Sequence, residues 1–224
     1  MNMRRLTLSG ALALLISCSP PAQNPVPAPQ AAAPILAPAG EYRLDPTHAD
    51  LTFRVNHIGM SMYTARFASF DATLRFDPAD PRAMRLEASV DPNSLVLPAP
   101  PAGFREELLG PDWLDARQFP TIAFRATRIE PTGARSVRME GDLTLHGVTA
   151  PIALDVTYNG GYAGHPMDPN ARIGFSARGR FNRSEFGVAR GVPPPGSAMG
   201  VSDAVDVLIE AEFTGPAWVA PPAQ

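Results

Sequence analysis

Apolar and polar residues alternate one by one along most of the middle of this 224-residue chain. In the stretch DLTFRVNH, Leu51, Phe53, Val55 and His57 share one side of an extended backbone, and polar residues occupy the other. The same alternation recurs in residues 136–146, 151–158, 172–181 and 204–213. Because successive side chains of a strand point to opposite faces of a sheet, this pattern predicts half-buried antiparallel strands.

Further strand candidates and one helix complete the predicted elements. The additional strands are Glu41–Asp45, Thr64–Phe76, Met84–Asp91 and Thr121–Ile129. Phe104, Leu108 and Leu109 have helical spacing, and Gly110-Pro111 ends that short helix. LHGVTAP predicts a hairpin that turns at Gly147. Eight or nine strands in one domain must close into a barrel or pair as a sandwich to protect their edges.

The amino terminus has the features of an export signal. Arg4 and Arg5 precede an apolar run from Leu6 to Ile16, which is too short to span a bilayer but suits a signal peptide. The sequence Leu15-Ile16-Ser17-Cys18 resembles a bacterial lipobox. We therefore expect residues 1–17 to be removed and Cys18 to carry lipid, which anchors the protein in the periplasm. The alternative is an ordinary signal cut further on, which would discard Cys18.

The remaining chain divides into a tether, one domain and a tail. Residues 18–40 are rich in proline and alanine, which is typical of an extended tether. Residues 41–215 have the length of one domain, and residues 216–224 are expected to be a disordered tail. Ser19, which follows the lipidated cysteine, favours sorting to the outer membrane. The sequence makes no prediction of the oligomeric state.

Composition excludes several functional classes. The chain has no lysine, which excludes Schiff-base chemistry and a lysine-dependent phosphate loop. It carries 22 acidic residues against 19 arginines, without a basic cluster, so nucleic-acid binding is not expected. The single cysteine, Cys18, lies outside the domain, and no serine occupies a G-x-S-x-G motif. We therefore expect neither an enzyme nor a cofactor.

Several segments of the domain follow one another in a characteristic order. They are YRLDPTHADLTFRVNHIG, ARFASFDATLRFDP, LLGPDWLDARQFPTIAFRAT, GDLTLHGVTAPIALDV, NRSEFGV and VSDAVDVLIEAEF, and together they extend from about Glu41 to Gly215. In this order they resemble the YceI-like family of bacterial periplasmic proteins. The resemblance implies an all-β fold, a lipocalin-like extended antiparallel β-barrel of about eight strands with one short helix. It also implies an apolar interior that holds isoprenoid or other long-chain lipids, and no established enzymatic activity.

In each alternating strand, the apolar positions are expected to face inward, a property called inward parity below. These positions identify the residues that would line such an interior. The candidates are Phe53, Val55, His57, Phe67, Leu143, Leu145, Phe175 and Ile209. The same set would equally serve as a dry, packed core. His57 is interpreted as a core residue or as part of the opening through which a ligand passes. His48 is expected to bond a turn, and the nine-residue spacing of the two histidines does not favour zinc.

Three functions remain for comparison. The favoured one is an envelope lipoprotein that binds a polyisoprenoid or an isoprenoid quinone inside its barrel for storage or transport. The second is a ligand-free stress or interaction protein of the envelope. The third is a membrane-tethered hydrolytic enzyme that uses His48 and His57.

Overall fold

Residues 35–219 of the chain are described by a computed structural model, and ten strands dominate that part. The strands are β1 (Gly40–His57), β2 (Ser61–Phe67), β3 (Phe70–Phe76), β4 (Arg85–Val90), β5 (Leu95–Val96), β6 (Ile122–Gly133), β7 (Ser136–Leu145), β8 (Val148–Tyr162), β9 (Asn170–Asn182) and β10 (Val201–Ala217). Helix α1 spans Phe104–Leu109, and 3₁₀ turns lie at Pro81–Ala83, Pro92–Ser94 and Arg183–Phe186. The predicted signal peptide, Cys18, most of the predicted tether and residues 220–224 lie outside the described residues.

The strands form a closed antiparallel barrel, which confirms the predicted fold class. The sheet order is β10-β9-β8-β7-β6-β4-β3-β1-β2-β5, and β10 also pairs with β1. Eight strands therefore complete a ring, while β2 and β5 extend the sheet beside the second half of β1. The first part of β1 pairs with β3 and the last part with β2, at Gly40↔Phe76 and His57↔Ser61 respectively. Closure leaves the ring without a free edge and rules out the sandwich.

Three details differ from the predicted elements. The two strands expected at residues 41–45 and 51–57 are one strand, β1, with a register shift between Leu44 and Ala49. The single strand expected at Thr64–Phe76 is divided into β2 and β3. The short strand β5 was not predicted. The break between β2 and β3 lies at Ala68 and Ser69, whose backbone groups bond Ser94 and Asp91. Strand β5 has two residues, too few to show an alternation pattern.

The boundaries of the barrel also extend slightly beyond the expected domain. β1 begins at Gly40, and β10 continues to Ala217, so Pro216 and Ala217 are strand residues rather than part of a tail. Ala37, expected in the tether, is buried in the core. No helix within residues 35–219 has the length and apolar character needed to cross a bilayer.

The predicted hairpin at Gly147 joins β7 to β8. Leu145 pairs with Val148, so His146 and Gly147 form a two-residue turn. Their φ angles are 51° and 75°, the left-handed values that a type I′ turn requires at both central positions. A Cβ atom on Gly147 would lie 2.4 Å from the Phe119 ring. Glycine is therefore required here by both conformation and space.

Packing is dense at the end of the barrel where β1 begins. Tyr42, Phe76 and Ile173 are at most 2% exposed there, and the Tyr42 and Phe76 rings meet edge to face at 5.6 Å. Burial, together with nearby Tyr158, raises the pKa of Tyr42 to about 12. Towards the other end, inward-facing Phe53 and Val207 are only half-buried. The interior is therefore open over part of its length rather than filled with side chains.

Candidate functional site

An apolar cavity of about 720 Å³ occupies the barrel interior. It extends from the turn between β6 and β7, at Arg135, to helix α1, where Phe104 and Leu108 contribute to its wall. Ligand pockets typically measure about 300–1,000 Å³ and combine apolar walls with a few polar groups. Most of the lining side chains are aliphatic or aromatic, so the cavity suits a long apolar molecule.

All eight residues predicted from inward parity line this cavity. They are Phe53, Val55 and His57 on β1, Phe67 on β2, Leu143 and Leu145 on β7, Phe175 on β9 and Ile209 on β10. Phe53 and Phe67 contact each other, with ring centroids 5.4 Å apart. The structure thus brings the eight together around one space, and their part in binding a ligand stays a prediction.

Sequence reasoning missed part of the wall. Phe104 and Leu108 on α1 and Trp113 after it line the cavity, and so do Arg135 and Tyr158 at the opposite end. The helical spacing of Phe104 and Leu108 signalled an apolar face, and Tyr158 had inward parity. Arg135 lies in a turn, where no period indicates the direction of a side chain.

The two candidate histidines lie in different places. His57 lines the cavity but is exposed at the end of β1, so its interpretation as a buried core residue is wrong. His48 is also exposed, and its Nδ1 lies 3.1 Å from both Asp45 Oδ2 and Thr47 Oγ1, away from the cavity lining. They do not form a joint site. Across residues 35–219, no group of three or more His, Cys, Asp and Glu side chains is arranged to hold a metal ion.

The other two histidines have local contacts. The His146 ring packs edge to face on Phe119 at 5.0 Å, beside the β7–β8 turn. His165 lies in the loop between β8 and β9, where its Nδ1 accepts a hydrogen bond of 3.3 Å from the backbone N–H of Met167. Both contacts stabilise turns.

A buried arginine holds the wall together at the α1 end. Arg183 is 5% exposed, and its guanidinium donates four hydrogen bonds of 2.7–3.0 Å to backbone carbonyls. These carbonyls belong to Val188, Arg190, Val201 and Ser202. Burial lowers the pKa of Arg183 because the charged form loses solvation. Arg183 therefore joins the segment before β10 to the start of that strand.

An ion-pair network ties β1 to β9 on the outside of the barrel. Asp45 accepts a 2.6 Å hydrogen bond from the Thr47 hydroxyl and a 2.5 Å bond from Arg172 Nη1. Arg172 Nε also contacts Asp168, at 3.2 Å. The bonds from Thr47 and His48, followed by that from Arg172, hold the pKa of Asp45 well below its usual range. This network stabilises the register shift in β1.

Comparison with known proteins gives consistent similarities. The sequence profile of the YceI-like domain matches residues 42–213. A UPF0312 protein of Vibrio cholerae is 32% identical over 181 residues, which cover 80% of this chain and 89% of that protein. Burkholderia cenocepacia BcnA has a similar crystal structure, with a TM-score of 0.64 and 22% identity over 75% of this chain and 98% of BcnA.

A second solved structure has the same fold at lower identity. It is a polyisoprenoid binding domain from Saccharophagus degradans, with a TM-score of 0.58 and 14% identity. The match covers 80% of this chain and 99% of that domain. At this identity the similarity shows the shared barrel alone.

Proposed function

The chain belongs to the YceI-like family, and from this premise we propose that it is an envelope lipoprotein whose barrel binds a long-chain apolar lipid. The lipid is a polyisoprenoid or an isoprenoid quinone, held for storage or transport. The observation that carries the proposal is the cavity of about 720 Å³ with its apolar wall. The similar barrel from Saccharophagus degradans, described as a polyisoprenoid binding domain, supports it.

Burial of the lipid tail supplies the driving force. Each methylene group removed from water contributes about 0.8 kcal/mol, so ten buried groups give roughly 8 kcal/mol before the costs of association. Because the wall offers few polar groups, discrimination along the tail is weak. Specificity then depends on the end group of the lipid and on the polar side chains that meet it.

Lipid analysis of the purified full chain tests this proposal. The protein is produced in bacteria, washed extensively and denatured, and the extract is examined by mass spectrometry. One lipid species in near-equal amount to the protein is the expected result. An extract without such a species, together with no uptake of added ubiquinone or polyprenol, contradicts lipid binding and favours the ligand-free stress or interaction protein.

The histidine-dependent enzyme is separated from lipid binding by a double substitution. His48→Ala with His57→Ala leaves most of the apolar wall intact, so lipid occupancy is expected to persist. Turnover of a hydrophobic ester that disappears with these substitutions would favour the enzyme instead.

The anchor is tested independently of the cavity. In the proposal, Cys18 carries lipid and holds the barrel at the periplasmic side of the outer membrane. Incorporation of labelled palmitate into the wild type, and its loss in Cys18→Ser, is the expected result. Equal labelling of both proteins contradicts lipidation at Cys18.

A further inference from the structure

Buried polar atoms without partners lie in the wall of the cavity. Within residues 35–219, three such side-chain atoms have no hydrogen-bond partner: Trp113 Nε1, Arg135 Nε and the Tyr158 hydroxyl. All three residues line the cavity. An unpaired buried polar group is costly, so each one in a folded protein needs an explanation. Two of the three, on Arg135 and Tyr158, lie at the same end of the barrel.

The backbone holds Arg135 and Tyr158 together. The N–H of Tyr158 donates a 2.8 Å hydrogen bond to the carbonyl oxygen of Arg135. The Arg135 guanidinium lies over the Tyr158 ring, with Cζ 5.1 Å from the centroid, and its Nη2 donates to the carbonyl oxygen of Asn159 at 3.2 Å. Arg135 Nε remains unused. The two side chains therefore lie against each other at the β6–β7 end of the cavity.

The tyrosine hydroxyl is closely packed on one side. Tyr158 is 6% exposed, and Gly161 approaches its hydroxyl from the same strand. A Cβ atom on Gly161 would lie 2.8 Å from the hydroxyl oxygen, so any larger residue would crowd this polar atom. The hydroxyl is thus buried and free to donate a hydrogen bond.

Both unused groups are donors, which defines the chemistry of their partner. Arg135 Nε–H and the Tyr158 O–H require an oxygen acceptor. In the part of the chain that the structure describes, the contacts of the Arg135 guanidinium are with a backbone carbonyl and an aromatic ring, neither of which carries a full negative charge. A carboxylate or phosphate oxygen would therefore bind more tightly than a neutral one.

We propose that Arg135 and Tyr158 form a head-group site for the terminal oxygen of the bound lipid, whose tail extends through the apolar cavity toward α1. This inference rests on the proposed lipid-binding function and adds the orientation of the lipid and the chemistry of its end group. An anionic oxygen is the preferred end group, followed by a neutral hydroxyl or carbonyl oxygen, with a hydrocarbon end bound most weakly.

A matched set of ligands tests the site on the full chain. Phytane, phytol and phytanic acid share one branched isoprenoid skeleton and differ in a methyl, hydroxymethyl or carboxylate end. Their dissociation constants are measured by competition with tritiated phytanic acid. In the wild type we expect phytanic acid to bind most tightly and phytane most weakly. Tyr158→Phe and Arg135→Met should each weaken the binding of phytanic acid about tenfold. Neither should change the dissociation constant of phytane.

Two control variants locate the effect. Tyr63→Phe also removes a tyrosine hydroxyl from the cavity wall, but near the other end of the cavity. It should leave the affinities for phytanic acid and phytane unchanged. Trp113→Phe removes the third unpartnered donor, at the α1 end, and should also leave the preference for phytanic acid intact. Unchanged phytane binding shows that a variant has kept its fold.

Each contrary result has a separate meaning. Equal binding of phytane and phytanic acid by the wild type overturns the head-group site while lipid binding stands. A loss of preference in Trp113→Phe, with none in Tyr158→Phe and Arg135→Met, places the head group at α1 and also overturns it. Absence of binding for all three ligands contradicts the proposed function itself.

Discussion

The guanidinium of Arg183 lies over the indole ring of Trp113, with its Cζ 5.3 Å from the ring centroid. The same guanidinium donates to four backbone carbonyls between Val188 and Ser202. One side chain thus joins the loop before β10 to the part of the wall that follows α1. Because the planar guanidinium presents donors in several directions at once, an ammonium group cannot reproduce these bonds.

Arg183→Met is expected to lower the free energy of unfolding by roughly 3–5 kcal/mol, since it leaves several buried carbonyls without donors. Arg183→Lys should recover only part of this loss. Arg180→Met is the matched control, because Arg180 is exposed and its ion pair with Asp206 is a surface pair, which contributes little. Urea denaturation midpoints measure the differences. Similar midpoints for the Arg183 and Arg180 variants would contradict the role of Arg183.

A substitution at Val207 tests whether the ligand lies in the open interior of the barrel. It faces the cavity from β10 and is only half-buried, so Val207→Phe directs a ring into open space. We expect phytanic acid to bind at least about tenfold more weakly, with little loss of stability, because the ring replaces ligand contacts. Leu208→Phe makes a comparable change on the outward face of the same strand and should bind normally. Equal affinity of both variants would argue against occupation of the barrel interior.

The alternation of side chains predicted most of this fold because inward parity depends only on the strand backbone. Phe53, Leu143, Phe175 and Ile209 all face the cavity as that parity requires. Parity does not determine depth, and His57, at the last position of β1, therefore lies exposed at its rim. Whether the interior is open or filled depends on volumes summed over eight strands, which no single segment reveals.

Other features depend on contacts between distant segments. The Asp45-Pro46-Thr47-His48 segment has the composition of a turn, and it is kept within β1 by an arginine 127 residues away, Arg172. Arg135 joins the cavity wall from a turn. Phe104 and Leu108 of α1 join it because α1 packs against Ala65 of β2 and Leu95 of β5. Sequence periodicity carries no information about such placements.

Alanine substitutions at two glycines, Gly147 and Gly196, separate the cost of backbone strain from the cost of a steric clash. Gly147→Ala places a β-carbon on a residue with a φ of 75°, at 2.4 Å from the Phe119 ring. We therefore expect the free energy of unfolding to fall by about 2–4 kcal/mol. Gly196→Ala is the control for conformation alone, since φ is 80° there and no atom lies within 4 Å of the added carbon. The free energy of unfolding of Gly196→Ala should be lower than that of the wild type by about 1 kcal/mol. Equal losses in thermal denaturation would show that Phe119 yields freely to the new methyl group.

Asp45 makes the barrel sensitive to acid. Its folded-state pKa is depressed, first by the Thr47 and His48 hydrogen bonds and then by Arg172, whereas an unfolded aspartate titrates near pH 4. The carboxylate therefore stabilises the fold fully above about pH 5, and this contribution falls as the pH drops through 4 and below. Asp45→Asn should lower the free energy of unfolding by about 1–3 kcal/mol at pH 7, and by progressively less toward pH 3.

Urea denaturation at pH 7, 5 and 3 measures this dependence. The gap between wild type and Asp45→Asn is expected to be similar at pH 7 and 5 and to narrow at pH 3. Asp155→Asn is the control, because Asp155 is exposed and its 3.0 Å pair with Arg138 is a surface contact between neighbouring strands, which contributes little. A gap that stays constant from pH 7 to pH 3 would show that Asp45 acts through its shape and not its charge. That result would assign the link between β1 and β9 to neutral hydrogen bonds rather than to the Asp45–Arg172 ion pair.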